Sequence, residues 1–183
     1  FNTNYKITPI IFDLWMNILK KVPKSILWLF ESNFEASKNL QKEAENYGIN
    51  QDRLIFARHL PDEEHLKRLK LGDLFLDTFP YNAHATAVDA LRVGLPVLTL
   101  MGKTIASRVA GSILKQVNLN ELIIENKENY KKKAIELAIN TNKLSQIKKK
   151  LANTIQHSPL LDSVKFTKDL ENIYINLVQQ KLS

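Results

Sequence analysis

Four short apolar runs constrain this chain more than any other feature: "SILWLF" at 25–30, "RLIFA" at 53–57, "DLFLDT" at 73–78 and "PVLTL" at 96–100. They lack the apolar–polar alternation of a sheet with one wet face, so they read as strands covered on both sides. They recur roughly every twenty residues with a helix-like segment between them, which suits crossover connections. Parallel strands need such crossovers. The fold class expected is α/β, a doubly wound parallel sheet followed by a helical C-terminal tail.

The helices announce their own ends. Thr8 and Pro9 stand as N-cap and first helical residue before "IIFDLWMNILKKV", and Gly48 closes "EASKNLQKEAENYG". Pro61 and three acids open "PDEEHLKRLK"; further helices are expected from about Ala83 and through "IASRVAGSILKQV". Beyond "NLNELI" we expect only helix, roughly over 127–139, 142–156 and 162–180, with Pro159 between the last two.

Composition excludes several classes. A hydrophobic content of 44% over 183 residues describes a water-soluble globular domain with a full core. No apolar run is long enough to span a bilayer, and no signal-peptide pattern opens the chain. The absence of cysteine rules out a disulfide framework and thiolate metal sites, and is compatible with a reducing compartment. The net charge of +7 comes from Lys-rich helical stretches, which we read as solvated faces rather than a nucleic-acid surface. A start at Phe1 rather than Met leads us to expect a fragment of a longer protein.

In doubly wound sheets ligands bind beyond the carboxyl ends of strands, where loops enter helices. "FPYNAHATAVDAL" lies at such a place, and it carries His84, Thr86 and Asp89 within about two turns of helix. A helix N-terminus with a hydroxyl and an imidazole beside it can hold an anion, and a carboxylate can accept bonds from sugar hydroxyls. A nucleoside diphosphate would satisfy all three. In the alternative, Asn82 caps the helix, Thr86 bonds within its first turn and Asp89 faces water. His65 and Arg68, three apart on "EEHLKR", could stack on and hydrogen-bond a base. Alternatively, Glu64 pairs with Arg68 on an exposed helix. "MGKT" is not a phosphate-binding loop, because Val97 stands where the first glycine of Gly-x-x-x-x-Gly-Lys-Thr is required. The four histidines lack metal-ligand spacing, and there is no Gly-x-Ser-x-Gly elbow.

Taken together, "FNTNYKITPIIFDLWMNILKKVP", "FARHLPDEEHLKR" and "DLFLDTFPYNAHATAVDALRVGLPVLTLMGKTIASRVA" resemble the C-terminal catalytic lobe of the protein O-GlcNAc transferases. These are the family 41 glycosyltransferases, to which the plant SPINDLY proteins are related. The resemblance implies a Rossmann-like lobe of a GT-B fold, with residues 1–183 as the nucleotide-sugar-binding lobe and about 127–183 as its helical tail. It implies a cytoplasmic protein and an inverting, metal-independent transfer of N-acetylglucosamine from UDP-GlcNAc to Ser or Thr of proteins, with no cofactor, nucleic acid or membrane involved.

Carried over residue by residue, the resemblance makes Lys6 the catalytic contact to the departing diphosphate. It puts His84, Ala85 and Thr86 on the pyrophosphate and Asp89 on the ribose. His65 would stack on uracil, with Arg68 and the Leu60 backbone beside the base. Thr3 stands where animal enzymes have glutamine near the diphosphate, Asp62 replaces a ribose-side lysine, and Ala85 replaces a threonine. Against a SPINDLY-like protein O-fucosyltransferase using GDP-fucose, the stretches "HATAVD" and "ASR" favour UDP-GlcNAc. The family's N-terminal lobe and tetratricopeptide repeats lie outside these 183 residues. The chain by itself is therefore expected to bind nucleotide without turnover, the alternative being a non-catalytic nucleotide-sugar-binding module.

Overall fold

In the computed structural model, residues 3–182 are described. Helix α1 (Pro9–Lys21) starts where the Thr8 hydroxyl accepts the Ile11 amide. It buries Ile11, Phe12, Trp15, Met16 and Leu19, residues at helical spacing. Strand β1 (Leu27–Phe30) pairs in parallel with β2 (Leu54–Ala57) through α2 (Phe34–Asn46), with Leu27 opposite Leu54. Gly48, at φ +71°, takes the left-handed turn that ends this crossover helix.

After α3 (Asp62–Leu69), β3 (Phe75–Leu76) pairs in parallel with β4 (Val97–Leu100) through α4 (Ala85–Arg92). Strand β4 pairs in parallel with β5 (Ile123–Ile124) through α5 (Val109–Gln116). Every residue of β4 is buried, as a strand covered on both faces requires. The tail comprises α6 (Lys127–Ile139), α7 (Thr141–Ile155) and α8 (Ser163–Leu182). Helix α7 buries Leu144, Ile147, Leu151 and Ile155, a single stripe against the body of the domain. Among the described residues no helix is long and apolar enough to cross a membrane.

The architecture is the α/β, Rossmann-like one expected, with local departures. Strand β5 starts at the last residue of "NLNELI", in a stretch to which the sequence reading gave no element; two residues are too few to show a period. A short 3₁₀ turn at Asn4–Lys6 was also unforeseen. The helix expected through 105–117 is broken, because Thr104 and Ser107 close a separate turn over Ile105–Ser107 by reciprocal hydrogen bonds. In "DLFLDT" only Phe75 and Leu76 count as strand, although the Asp77 amide still donates to Leu98 O at 3.0 Å.

Candidate functional site

The segment before α1 crosses the carboxyl ends of two strands. The Asn4 amide donates to Ser32 Oγ just beyond β1 (3.2 Å), and Thr8 Oγ1 donates to Phe79 O beyond β3 (2.9 Å). Between these tethers Lys6 is half-buried. Its ammonium donates to Asn82 O at 3.0 Å and lies 4.1 Å from the centre of the Tyr81 ring. A carbonyl dipole and an aromatic face hold the cation without neutralising it. Thr3 caps the short turn that presents Lys6, its carbonyl accepting the Lys6 amide at 3.1 Å.

The loop from β3 to α4 is organised by Asp77, which sequence reasoning missed. Its carboxylate is buried and accepts from Thr99 Oγ1 (2.7 Å), the Ala83 amide (2.7 Å) and the Thr78 amide (2.8 Å). Burial pushes its pKa up, and the three donors and Lys6 pull it back, leaving it at about 7. The Tyr130 hydroxyl, wholly buried on α6, donates to Asp77 O at 3.0 Å and fixes the loop from beneath. Asn82 does not cap α4. Its side chain is buried and donates to Thr78 O at 2.9 Å, while its amide donates to Ala106 O at 3.0 Å in the loop beyond β4. A polar Asp within an otherwise apolar strand was the available signal for this network.

His84 occupies the N-cap position of α4, its carbonyl accepting from Ala87 and Val88, but its side chain makes no capping bond. The ring instead packs against Tyr81 at 5.3 Å between centroids, and its Nε2 is buried with no hydrogen-bond partner among the described residues. Lys6 and His84 thus meet the same tyrosine ring at a helix N-terminus, where backbone donors favour an anion. Ala85 is exposed in the first turn, and Thr86 and Asp89 are half-buried on the same helix.

Helix α3 packs against α4. The His65 imidazole is pushed below its ordinary pKa by burial and then by Arg68, while Asp89 and Asp62 oppose the shift, so Asp89 and His65 belong to one electrostatic neighbourhood. Arg68 bonds His65 Nδ1 at 2.8 Å and Arg58 O at 2.7 Å. The Glu64–Arg68 pair weighed in the sequence does not form among the described residues; Glu63 pairs with Lys67 instead. Leu60 is half-buried in the loop leading to α3.

The "MGKT" loop forms a packing corner. A Cβ on Gly102 would come within 2.5 Å of Ser107 Oγ and 3.0 Å of the Phe79 ring. Gly102 therefore lets the loop after β4 close on the loop after β3. Lys103 points into solvent as an exposed residue.

Residues 1–170 match the model of Glycosyl transferase family 41. The chain belongs to this family. Within it, the chain is 36% identical over 178 residues to the Arabidopsis thaliana protein named probable UDP-N-acetylglucosamine–peptide N-acetylglucosaminyltransferase SEC, covering 97% of this chain and 18% of that one. It is 34% identical over 173 residues to the Caenorhabditis elegans UDP-N-acetylglucosamine–peptide N-acetylglucosaminyltransferase, covering 94% of this chain and 15% of the other. A tomato (Solanum lycopersicum) protein named SPINDLY is 34% identical over 178 residues, covering 95% and 19%. A solved structure of a Thermobaculum terrenum O-GlcNAc transferase, a lysine-to-methionine mutant, superposes with a TM-score of 0.90 at 30% identity, over 95% of this chain and 34% of that one. The chain spans less than a fifth of the length of these curated family 41 relatives.

Proposed function

We propose that this family 41 lobe binds UDP-GlcNAc in the cytoplasm and serves the transfer of N-acetylglucosamine to Ser or Thr hydroxyls of proteins. One observation carries the reading: the Lys6 ammonium and His84, whose buried Nε2 has no hydrogen-bond partner among the described residues, meet one tyrosine ring at the N-terminus of α4. A diphosphate is the ligand class that uses a cation, an imidazole donor and helix amides together. On this reading Thr3, His84, Ala85 and Thr86 lie along the pyrophosphate. Asp89 accepts from the ribose, and Leu60, His65 and Arg68 hold the uracil.

The chemistry assigned to these residues is electrostatic. The acceptor oxygen forms a bond to the anomeric carbon while the bond to the diphosphate oxygen breaks, and the hydroxyl proton passes to a base. Negative charge grows on the departing UDP, where Lys6 and the α4 N-terminus meet it in place of a divalent ion. The acceptor-binding lobe and the base are assigned to polypeptide outside these 183 residues, so turnover belongs to the longer protein.

Calorimetry on the 183-residue chain tests donor class and metal together. UDP is expected to bind at least tenfold more tightly than GDP, with the same affinity in the presence of a chelator. Equal or reversed nucleotide preference would favour the fucosyltransferase reading, and loss of UDP binding with chelator would sink the metal-free one.

A further inference from the structure

Asp77 is a buried acid that the proposed transfer leaves unused. Its side chain is wholly buried, and among the described residues no lysine, arginine or histidine forms an ion pair with it. It nonetheless lies within the diphosphate site. Its Oδ1 accepts the amide of Ala83, the residue before His84, and the neighbouring Asn82 gives its carbonyl to the Lys6 ammonium. Burial opposes ionisation of Asp77 most, the Thr99, Ala83 and Thr78 donors and then Lys6 favour it, and the balance leaves its pKa at about 7.

Few groups face it from the elements packed around it. Strand β4 offers the Thr99 hydroxyl, and α6 offers the Tyr130 phenol, which burial holds above its ordinary pKa and so keeps neutral. The segment before α1 offers Lys6, and His84 stands at the start of α4. The hydrogen bonds allow either charge state without undoing the loop. Oδ1 takes both main-chain amides and stays an acceptor, while a proton on Oδ2 points to Thr99 Oγ1 at 2.7 Å and reverses that bond. Only the charge changes. An ionised Asp77 competes with an incoming anion for Lys6 and for the donors at the mouth of α4, and a neutral one does not.

We propose that Asp77 is a proton-binding group coupled to the diphosphate site, neutralised as the nucleotide diphosphate lands, so that donor binding takes up a proton from solvent. The coupling rests on the diphosphate reading of this site. One proton passes to Oδ2, and no covalent bond of the nucleotide changes. A second anion beside Lys6 raises the pKa of Asp77 further above its own value of about 7. Below that pH the carboxyl is already protonated and affinity is at its full value. Above it each donor bound must also bring a proton, so affinity falls with rising pH until the pKa of the filled site is passed. The fall should be about three- to tenfold between about pH 6 and 9. Mild acidification thus tightens donor binding. A histidine that gains a proton on binding acts in the same direction, so variants must separate the two.

Calorimetry of UDP-GlcNAc binding to the full-length protein, in buffers of different ionisation heat, reads the proton directly. UDP-GlcNAc lacks the terminal phosphate through which UDP itself titrates near neutrality. At about pH 7.5 the wild type should take up roughly 0.3–0.7 of a proton per donor bound. Asp77→Asn mimics the neutral acid, so most of this uptake should vanish. At about pH 8.5 this variant should also bind about three- to tenfold more tightly than wild type, a gain that a merely structural role does not give. Uptake retained in Asp77→Asn, or absent from wild type, would overturn the proposal. Should Asp77→Asn fail to fold, Thr99→Val decides. Loss of that donor raises the pKa of Asp77, so the pH of greatest uptake should move upward. An unmoved maximum would assign the proton to a histidine and overturn the proposal equally. Failure of the full-length wild type to bind UDP-GlcNAc at any pH would instead overturn the donor reading, and this coupling with it.

Discussion

The ammonium of Lys6 lies 3.0 Å from the main-chain oxygen of Asn82, a residue 76 positions further along the chain. This contact joins the segment before α1 to the loop that feeds α4. It leaves the charge of Lys6 directed at the helix mouth, because its partners are a carbonyl dipole and the Tyr81 face rather than a carboxylate.

Replacing Lys6 should therefore affect the reaction more than the binding. In the transfer proposed above, charge on the leaving diphosphate grows only as the glycosidic bond breaks, so the benefit of the cation would be largest in the transition state. In the full-length enzyme Lys6→Met should lower kcat by roughly a hundredfold or more, with a smaller change in UDP affinity. Donor turnover measured against donor concentration separates the two; near-normal kcat would remove Lys6 from leaving-group stabilisation.

Asp89 should fail in the other way. On the proposed reading Asp89 contacts the ribose equally in ground and transition states, so Asp89→Ala should weaken UDP binding by about 1–3 kcal/mol. The loss should appear in calorimetry on the 183-residue chain. Unchanged affinity would place Asp89 outside the nucleotide site.

Asp77 makes the lobe's stability depend on pH. Its folded pKa, about 7, lies above the ordinary carboxylate value of 3.8, so the native state holds this proton more tightly than the unfolded chain. The resulting stability is fully present below about pH 4 and lost as pH rises to about 7, with a ceiling of about 4 kcal/mol. Asp77→Asn keeps the acceptor for the Ala83 and Thr78 amides and abolishes the titration. The difference between wild-type and Asp77→Asn urea midpoints should therefore change between pH 4 and 7; parallel profiles would contradict the burial argument.

Gly102 and Lys103 separate packing from phosphate binding in "MGKT". Gly102→Ala drives a methyl into the Ser107 hydroxyl and the Phe79 ring, and should destabilise by about 1–3 kcal/mol. Lys103→Ala, at an exposed position, should change stability and UDP affinity by no more than about 0.5 kcal/mol. A strong loss of UDP binding in Lys103→Ala would restore a phosphate role to this loop.

The sequence alone determined the features governed by local physics. Apolar periodicity and caps such as Thr8 and Gly48 marked most helices, because their signals lie within a turn or two of the backbone they control. Continuous apolar runs marked the main strands, and a motif-level resemblance pointed to the α4 mouth. Tertiary structure alone decided the partners. Asn82 could have capped α4 on local grounds, yet it is buried, and the Asp77 carboxylate receives the Ala83 amide instead. Arg68 chose His65 and a main-chain oxygen over the nearby Glu64. Asp77 meets Thr99 across 22 positions, and Lys6 meets Asn82 across 76. Such contacts form when strands and loops distant in sequence are brought together in the folded domain, and burial then makes each polar group take the partner the packing supplies.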